Sequence, residues 1–486
     1  MQNDDWNRTT SVIRFLSGDT SLLQVTATTF YTQGILGFLF SMIFGWEKLP
    51  YLTFFVSVFN FYIFAKILVD HLDLNKVRAA VISLIFFFTP LHIYSSIGFM
   101  TENYTMFFIL LGIYFLLQYE KDKKPKNFVL FNLSGILSFF TKQNGIIVNV
   151  AYIPYLLIKK RFKEASLQII TIVTLFFYYF NFFPRTEEML DKGFTFENFN
   201  DGNYVYSLTY GIILVTVSFL LPFVFNFVLS TLFENRKKVL RILFILVSAV
   251  VLYFVLNKYF VPGKLAWQEY PYFENTFERT GFFPRSISGT KYYFKWNYDI
   301  FKYWDLTSKV LLSLLIPCLV LSWKKSINIY SISIAGYVVL MLLTQKFFDR
   351  YLLVLIPLVI LFFINYEKRK SNLRYLFFAS NFVFMIFVGF ISLQMAGDFI
   401  TTNNYVWGRS QSLVSEGVSP DSISATMAWG RVYGSPTNPE FLFSYDSPDT
   451  HPELLDGYDL FEEKGMGFRG SVFVEPKMYL YKSKIN

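Results

Sequence analysis

The chain has 486 residues, of which 53% are hydrophobic, 21% aromatic and only 16% charged, with a formal net charge of +9. Soluble domains carry roughly 25% charged residues, so the composition excludes an ordinary soluble enzyme and points to a polytopic membrane protein. A single cysteine, Cys318, excludes an intramolecular disulfide and a thiolate metal cluster, and three scattered histidines argue against a His-rich metal site.

Residues 1–27 are polar to mixed and begin with Asp4-Asp5-Trp6-Asn7-Arg8, without the basic region and apolar core of a signal peptide. Residues 28–46 are apolar but carry Gln33 and three glycines, and read either as a span or as a helix lying in the interface. Twelve apolar runs follow as expected spans: 51–69, 77–97, 103–119, 127–141, 144–158, 165–183, 207–233, 239–260, 308–323, 327–345, 351–366 and 372–395. From 396 the composition turns to Ser, Gly, Pro and Asp. Short apolar stretches there, Phe441-Leu442-Phe443 and Met478-Tyr479-Leu480-Tyr481, read as strands of a small α/β domain. The expected organisation is therefore 1–50 as outer loop and juxtamembrane helix, 51–395 as membrane domain and 396–486 as soluble domain.

Charge sets the expected topology. Cytoplasmic loops collect Lys and Arg. Basic clusters fall at Lys121-Asp122-Lys123-Lys124, Lys159-Lys160-Arg161-Phe162-Lys163, Arg236-Lys237-Lys238, Lys324-Lys325 and Lys368-Arg369-Lys370. All take one side if 28–46 does not cross and the later runs alternate. The other, extracytoplasmic side then receives 1–50, 98–102, 142–143, 184–206, 261–307, 346–350 and the tail. No nucleic-acid partner is expected; membrane lipids are.

That outer face gathers acids and bases: Asp4 and Asp5, Glu102 at the mouth of 103–119, Lys142 between two short runs, Arg279 and Arg285 in a basic-aromatic loop, and Lys346 with Asp349-Arg350-Tyr351. Carboxylates supply a general base or a metal ligand, and Lys or Arg at headgroup level suits a lipid-linked phosphate. Each member also has a plainer reading. Asp4-Asp5 fits a solvated chain end, Glu102 an acid at a helix start, and Lys142 a snorkelling lysine. Residues 261–307 fit an interfacial belt, and Arg350 an interfacial anchor.

The order of these segments resembles the GT-C type membrane glycosyltransferases, in particular the protein O-mannosyltransferase and aminoarabinose transferase (glycosyltransferase family 39-like) superfamily. Asp4-Asp5 followed by Phe15-Leu16-Ser17-Gly18-Asp19 is similar to the first outer loop, and residues 30–45 to the juxtamembrane helix. Met100-Thr101-Glu102-Asn103 stands at the second acidic position. Phe139-Phe140-Thr141-Lys142-Gln143-Asn144-Gly145 and Arg350-Tyr351-Leu352-Leu353 with Pro357 match two further segments. The chain lacks the Pro-Pro of the juxtamembrane motif and has Glu102 where many relatives carry Asp. The family places a spanning helix ahead of the acidic pair, which implies a truncated or misassigned start here.

The resemblance implies an all-α GT-C fold and inverting transfer of a sugar from a polyprenyl-phosphate donor to a lipid, glycan or protein acceptor. It gives Asp4 as base, with Asp5 and Glu102 assisting or, through Asp4 and Glu102, binding a divalent cation (Mg or Mn). Lys142, Arg279, Arg285 and Arg350 are the expected donor-phosphate ligands. The alternatives are a polyprenyl-lipid flippase or transporter, which would put charges at mid-membrane along a path, and a structural scaffold with a docking tail.

Overall fold

The structure, a computed structural model, describes residues 5–21, 29–183, 196–235, 238–259, 282, 287–289, 299–344, 349–367, 374–449, 455–466 and 477–484. The expected site residues Asp4, Arg279, Arg285 and Lys346 lie outside the described residues.

The chain opens with α1 (Asp5–Leu16) and α2 (Tyr31–Phe44). At 1.5 Å per residue, the 14 residues of α2 extend about 21 Å, short of the roughly 30 Å hydrocarbon core. Gly45, at φ 86°, ends it in a conformation that favours glycine. Ile35, Leu39, Met42 and Ile43 form an exposed apolar stripe along α2, while Gly34 and Gly37 bring its other face against Phe15 and Phe99.

The helical body follows as α3 (Leu49–Asp70), α4 (Lys76–Phe87), α5 (Pro90–Ser96), α6 (Thr101–Asp122), α7 (Pro125–Phe139), α8 (Ile147–Ile158) and α9 (Phe162–Phe182). It continues as α10 (Gly202–Phe219), α11 (Leu221–Asn235), α12 (Val239–Tyr259), α13 (Asp299–Leu321), α14 (Trp323–Ser326), α15 (Ile329–Leu342), α16 (Leu355–Glu367) and α17 (Arg374–Ser415). Pro50, Pro90 and Pro125 stand in the first turns of α3, α5 and α7, where a missing N–H costs nothing. Asn75 caps α4 by accepting from the Arg78 N–H, and Asn328 opens α15 with a capping box.

Among the described residues, six helices are long and apolar enough to cross a membrane, or up to eight if each of two bent pairs makes one span. Two expected spans are these bent pairs. Residues 77–97 break by 72° ahead of Pro90, and 207–233 break by 92° ahead of Pro222. Residues 308–323 belong to a helix that starts earlier, at Asp299, and Trp304 is core rather than interfacial: it is buried and donates from Nε1 to the Ser218 carbonyl at 2.8 Å. The expected domain boundary at 396 falls inside α17, whose 42 residues extend about 63 Å.

Side-chain contacts join two sets of helix ends. Arg161 Nη1 binds both Glu120 oxygens at 2.7 and 2.8 Å, so the 121–124 and 159–161 clusters share one end of the bundle. Tyr366 Oη lies 3.4 Å from Glu234 and 3.1 Å from Ser322, which joins the C-terminal ends of α11, α13 and α16. Glu102 and Glu120 sit 18 residues apart on α6, about 27 Å along its axis. That separation matches the hydrocarbon thickness of a bilayer.

Beyond α17 come β1 (Ile423–Ser424), α18 (Met427–Tyr433), β2 (Phe441–Ser444), β3 (Tyr458–Gly465) and β4 (Lys477–Ser483). The strands form one sheet in the order β1-β2-β4-β3, with β1 and β2 parallel and the other pairs antiparallel. Both apolar stretches read as strands in the tail are strands. Ser288, between α12 and α13 in the sequence, bridges to Ser444 and accepts the Tyr445 N–H at 2.9 Å.

The charge pattern makes a topology prediction. With Cys318 replaced by Ser, a cysteine at exposed Ser435 is expected to react with a membrane-impermeant maleimide in intact cells. One at exposed Lys123 should react only after permeabilisation, and equal labelling of both from outside would contradict the alternation.

Candidate active site

The site begins with the break between α4 and α5. The residue before a proline is pushed out of helical conformation, and Thr89, before Pro90, is extended at ψ 138°. Helix α5 is buried along its whole length and delivers the turn Ile97-Gly98-Phe99-Met100 to the start of α6. A Cβ on Gly98 would stand 1.8 Å from Asp5 Oδ2, so only glycine there lets α1 seat its carboxylate against this turn. Arg8, one helical turn on, places Nη1 3.6 Å from Asp5 Oδ1 and donates from it to Met100 Sδ at 3.0 Å. Both charged side chains are buried. Asp5 thus sits at a joint between α1 and the 97–100 turn, not on a loose chain end.

Two residues after Met100 comes Glu102, 4% exposed. Lys142 Nζ donates to Glu102 Oε1 at 3.0 Å, and Arg350 Nε stands 3.3 Å from the same oxygen without the alignment of a hydrogen bond. Thr101 Oγ1 donates to the other oxygen at 3.3 Å. Three segments far apart in sequence therefore meet on one carboxylate: the start of α6, the turn after α7 and the 3-10 turn Asp349–Val354 ahead of α16. Lys142 Nζ also lies 3.7 Å from the centre of the Tyr351 ring, a cation–π contact.

Local sequence builds each turn. Gly145 lies so near Ser138 that a Cβ would be 2.7 Å from the Ser138 carbonyl, which lets 142–146 fold back on the end of α7. Tyr337, buried in α15, holds the two cation-bearing turns together. Its hydroxyl accepts from Asn144 Nδ2 at 3.0 Å and donates to the Tyr351 carbonyl at 2.8 Å. Glu102, Thr105, Lys142, Asn144, Tyr337, Arg350 and Tyr351 line one small pocket.

Electrostatics follow from burial. Burial alone raises the Glu102 carboxyl, but Lys142, Arg350 and Arg8 outweigh it and hold Glu102 well below the usual carboxylate range. Burial, opposed by Glu102 and reinforced by Arg350, pulls the Lys142 ammonium below the ordinary lysine range.

The sequence-predicted residues Glu102, Lys142 and Arg350 are brought together, and Asp5 lies beside Gly98, four positions before Glu102. Arg8, Gly98, Asn144 and Tyr337 are further members. Arg8 follows the acidic pair by three residues, a spacing that puts it on the Asp5 face of a helix; Tyr337 lies inside an apolar run with no such signal. Among the described residues no group of three His, Cys, Asp or Glu side chains converges. Glu102 faces two cations, a surrounding that does not suit a divalent ion.

Glu102→Gln should leave Lys142 and Arg350 beside a neutral amide. Breaking a buried ion cluster in this way is expected to lower stability by about 3 kcal/mol. Adding Arg350→Met should restore part of the loss, a non-additivity measurable by thermal unfolding in detergent. Additive losses would mean that the two residues do not interact.

No family model matches the chain, and neither a curated protein nor a solved structure matches it.

Proposed function

We propose that the chain is a GT-C type glycosyltransferase that moves a sugar from a polyprenyl-phosphate donor to an acceptor at the outer face of the cell membrane. The observation that carries this reading is the buried Glu102–Lys142–Arg350 cluster, which opens to a pocket at one end of a membrane-sized helix bundle. The twelve-span arrangement belongs to the same proposal.

In this reading Lys142 and Arg350 receive the donor phosphate. Glu102 keeps both cations in place at the pocket, so the phosphate meets a preorganised positive site. Arg279 and Arg285, in the basic-aromatic loop of the sequence, are further candidates for that phosphate. The acceptor hydroxyl attacks the sugar's anomeric carbon and loses its proton to Asp4. The bond between that carbon and the phosphate oxygen breaks, and polyprenyl phosphate leaves with the electron pair. One displacement inverts the anomeric centre. Asp5, seated against Gly98 and paired with Arg8 at the start of α1, assists by hydrogen bonds. A divalent cation on Asp4 and Glu102 is the family's expectation, but no step is assigned to it, because Lys142 and Arg350 already face Glu102.

A flippase is the second reading, favoured by the two sharply bent helix pairs, since broken helices shape transport sites. One experiment separates them. Purified protein in liposomes is given polyprenyl-phosphate sugars, and the products are read by mass. Wild type is expected to transfer sugar, and Asp4→Asn to lose at least about a hundredfold in rate, the usual scale of general-base catalysis, while still inserting into membranes. Lipid movement across the bilayer without transfer would support the flippase, and full activity of Asp4→Asn would remove Asp4 as base.

Lys142 adds a pH dependence. Its ammonium loses its proton at lower pH than an exposed lysine, so donor binding should weaken as pH rises on the alkaline side. Lys142→Arg keeps its charge throughout that range and should shift the alkaline limb of kcat/KM upward. An unshifted limb would exclude Lys142 as its source.

A further inference from the structure

A row of aromatic rings runs from α1 into the C-terminal domain. Trp46, in the turn after α2, meets Trp6 edge-on with centroids 6.3 Å apart. Trp6 stacks on Trp407 of α17, with centroids at 5.4 Å and planes within 11°. Trp407 meets Trp429 of α18 edge-on at 5.1 Å. Trp429 is the fixed end. It is 1% exposed, donates from Nε1 to the Pro420 carbonyl at 3.0 Å, and follows the Thr426 cap.

Trp6 is the residue after Asp5. Twelve residues are too few to hold a helix in water without tertiary contacts, so α1 takes its place from what it packs on. Its supports in the N-terminal half include the seat of Asp5 on Gly98, the Arg8–Met100 contact, the Trp6–Trp46 contact and the packing of Val12 among Phe30, Leu49, Phe99 and Tyr104. The Trp6–Trp407 stack adds a support from outside the N-terminal half. Trp407 lies far along α17, the helix that carries the C-terminal domain.

We infer that Trp407 is a positioning residue: by stacking on Trp6 it lets the C-terminal domain set where α1 holds Asp5. The inference rests on the proposed glycosyltransferase reading in giving Asp5 a task in the reaction. The C-terminal domain then forms part of the active site without touching substrate. A domain that shifts on binding an acceptor would move Asp5 with it.

Hydrogen exchange and steady-state transfer on the full-length protein test this, with Trp407→Ala and Trp407→Phe compared. Trp407→Ala should raise exchange over residues 5–16 roughly threefold to tenfold, the range set by losing one aromatic pair, and leave β2 and β4 protected. Its kcat should fall about tenfold to a hundredfold, the scale of a small misplacement of a reacting group, with KM for the donor little changed. Trp407→Phe keeps a flat ring and should restore both.

Unchanged exchange over 5–16 in Trp407→Ala would overturn the inference. So would raised exchange with undiminished kcat, or a loss of protection throughout the C-terminal domain that Trp407→Phe does not restore. If wild type transfers no sugar, the glycosyltransferase reading falls, and exchange alone decides whether Trp407 holds the helix.

Discussion

The buried carboxylate of Glu102 is the constraint on which the rest of this architecture depends. A charge taken out of water is costly unless it is paired, and Glu102 is paired twice, with Lys142 and with Arg350. Those partners come from turns more than 200 positions apart in sequence, so closing the cluster fixes how α6, α7, α8 and α16 meet. The break before Pro90 and the bare backbone at Gly98 complete the arrangement. They bring the 97–100 turn to Glu102 and leave room for Asp5 beside it.

The opposite end of α6 repeats the principle with another geometry. Glu120 and Glu164 share Arg161, and Tyr119 and Tyr152 add their hydroxyls. This cluster takes its basic partner from the lysine-rich turn after α8, whereas the Glu102 cluster opens to a pocket. Helix α6 thus runs between two ionic clusters about a bilayer apart. Interior contacts, not a uniformly apolar surface, keep it in the bundle, and over half of its residues are buried.

Much of the site was legible because its members interrupt apolar runs. Glu102, Lys142 and Arg350 each stand where hydropathy breaks, and charge alternation put them on one face. The tail strands were legible for the opposite reason, as short apolar runs in polar sequence. The bends were not. Pro90 and Pro222 sit inside runs long enough to read as single spans, and a proline alone does not tell a kink from a break of 72° or 92°. Tyr337 and Trp407 were illegible because their roles lie in what they touch. One buried tyrosine among many in a membrane helix carries no local mark, and Trp6 and Trp407 are 401 positions apart. Asp4, Arg279 and Arg285 lie outside the described residues, so their roles rest on sequence alone.

The central claim is that Lys142 and Arg350, gathered by Glu102, form an anion site for a lipid-linked phosphate. An experimental structure of the protein with bound polyprenyl phosphate tests it most directly. The expected result is a phosphate within hydrogen-bond distance of Lys142 Nζ and the Arg350 guanidinium, with the prenyl chain leaving between helices toward lipid. A phosphate bound elsewhere, with the Glu102–Lys142–Arg350 cluster closed and unchanged, would contradict it.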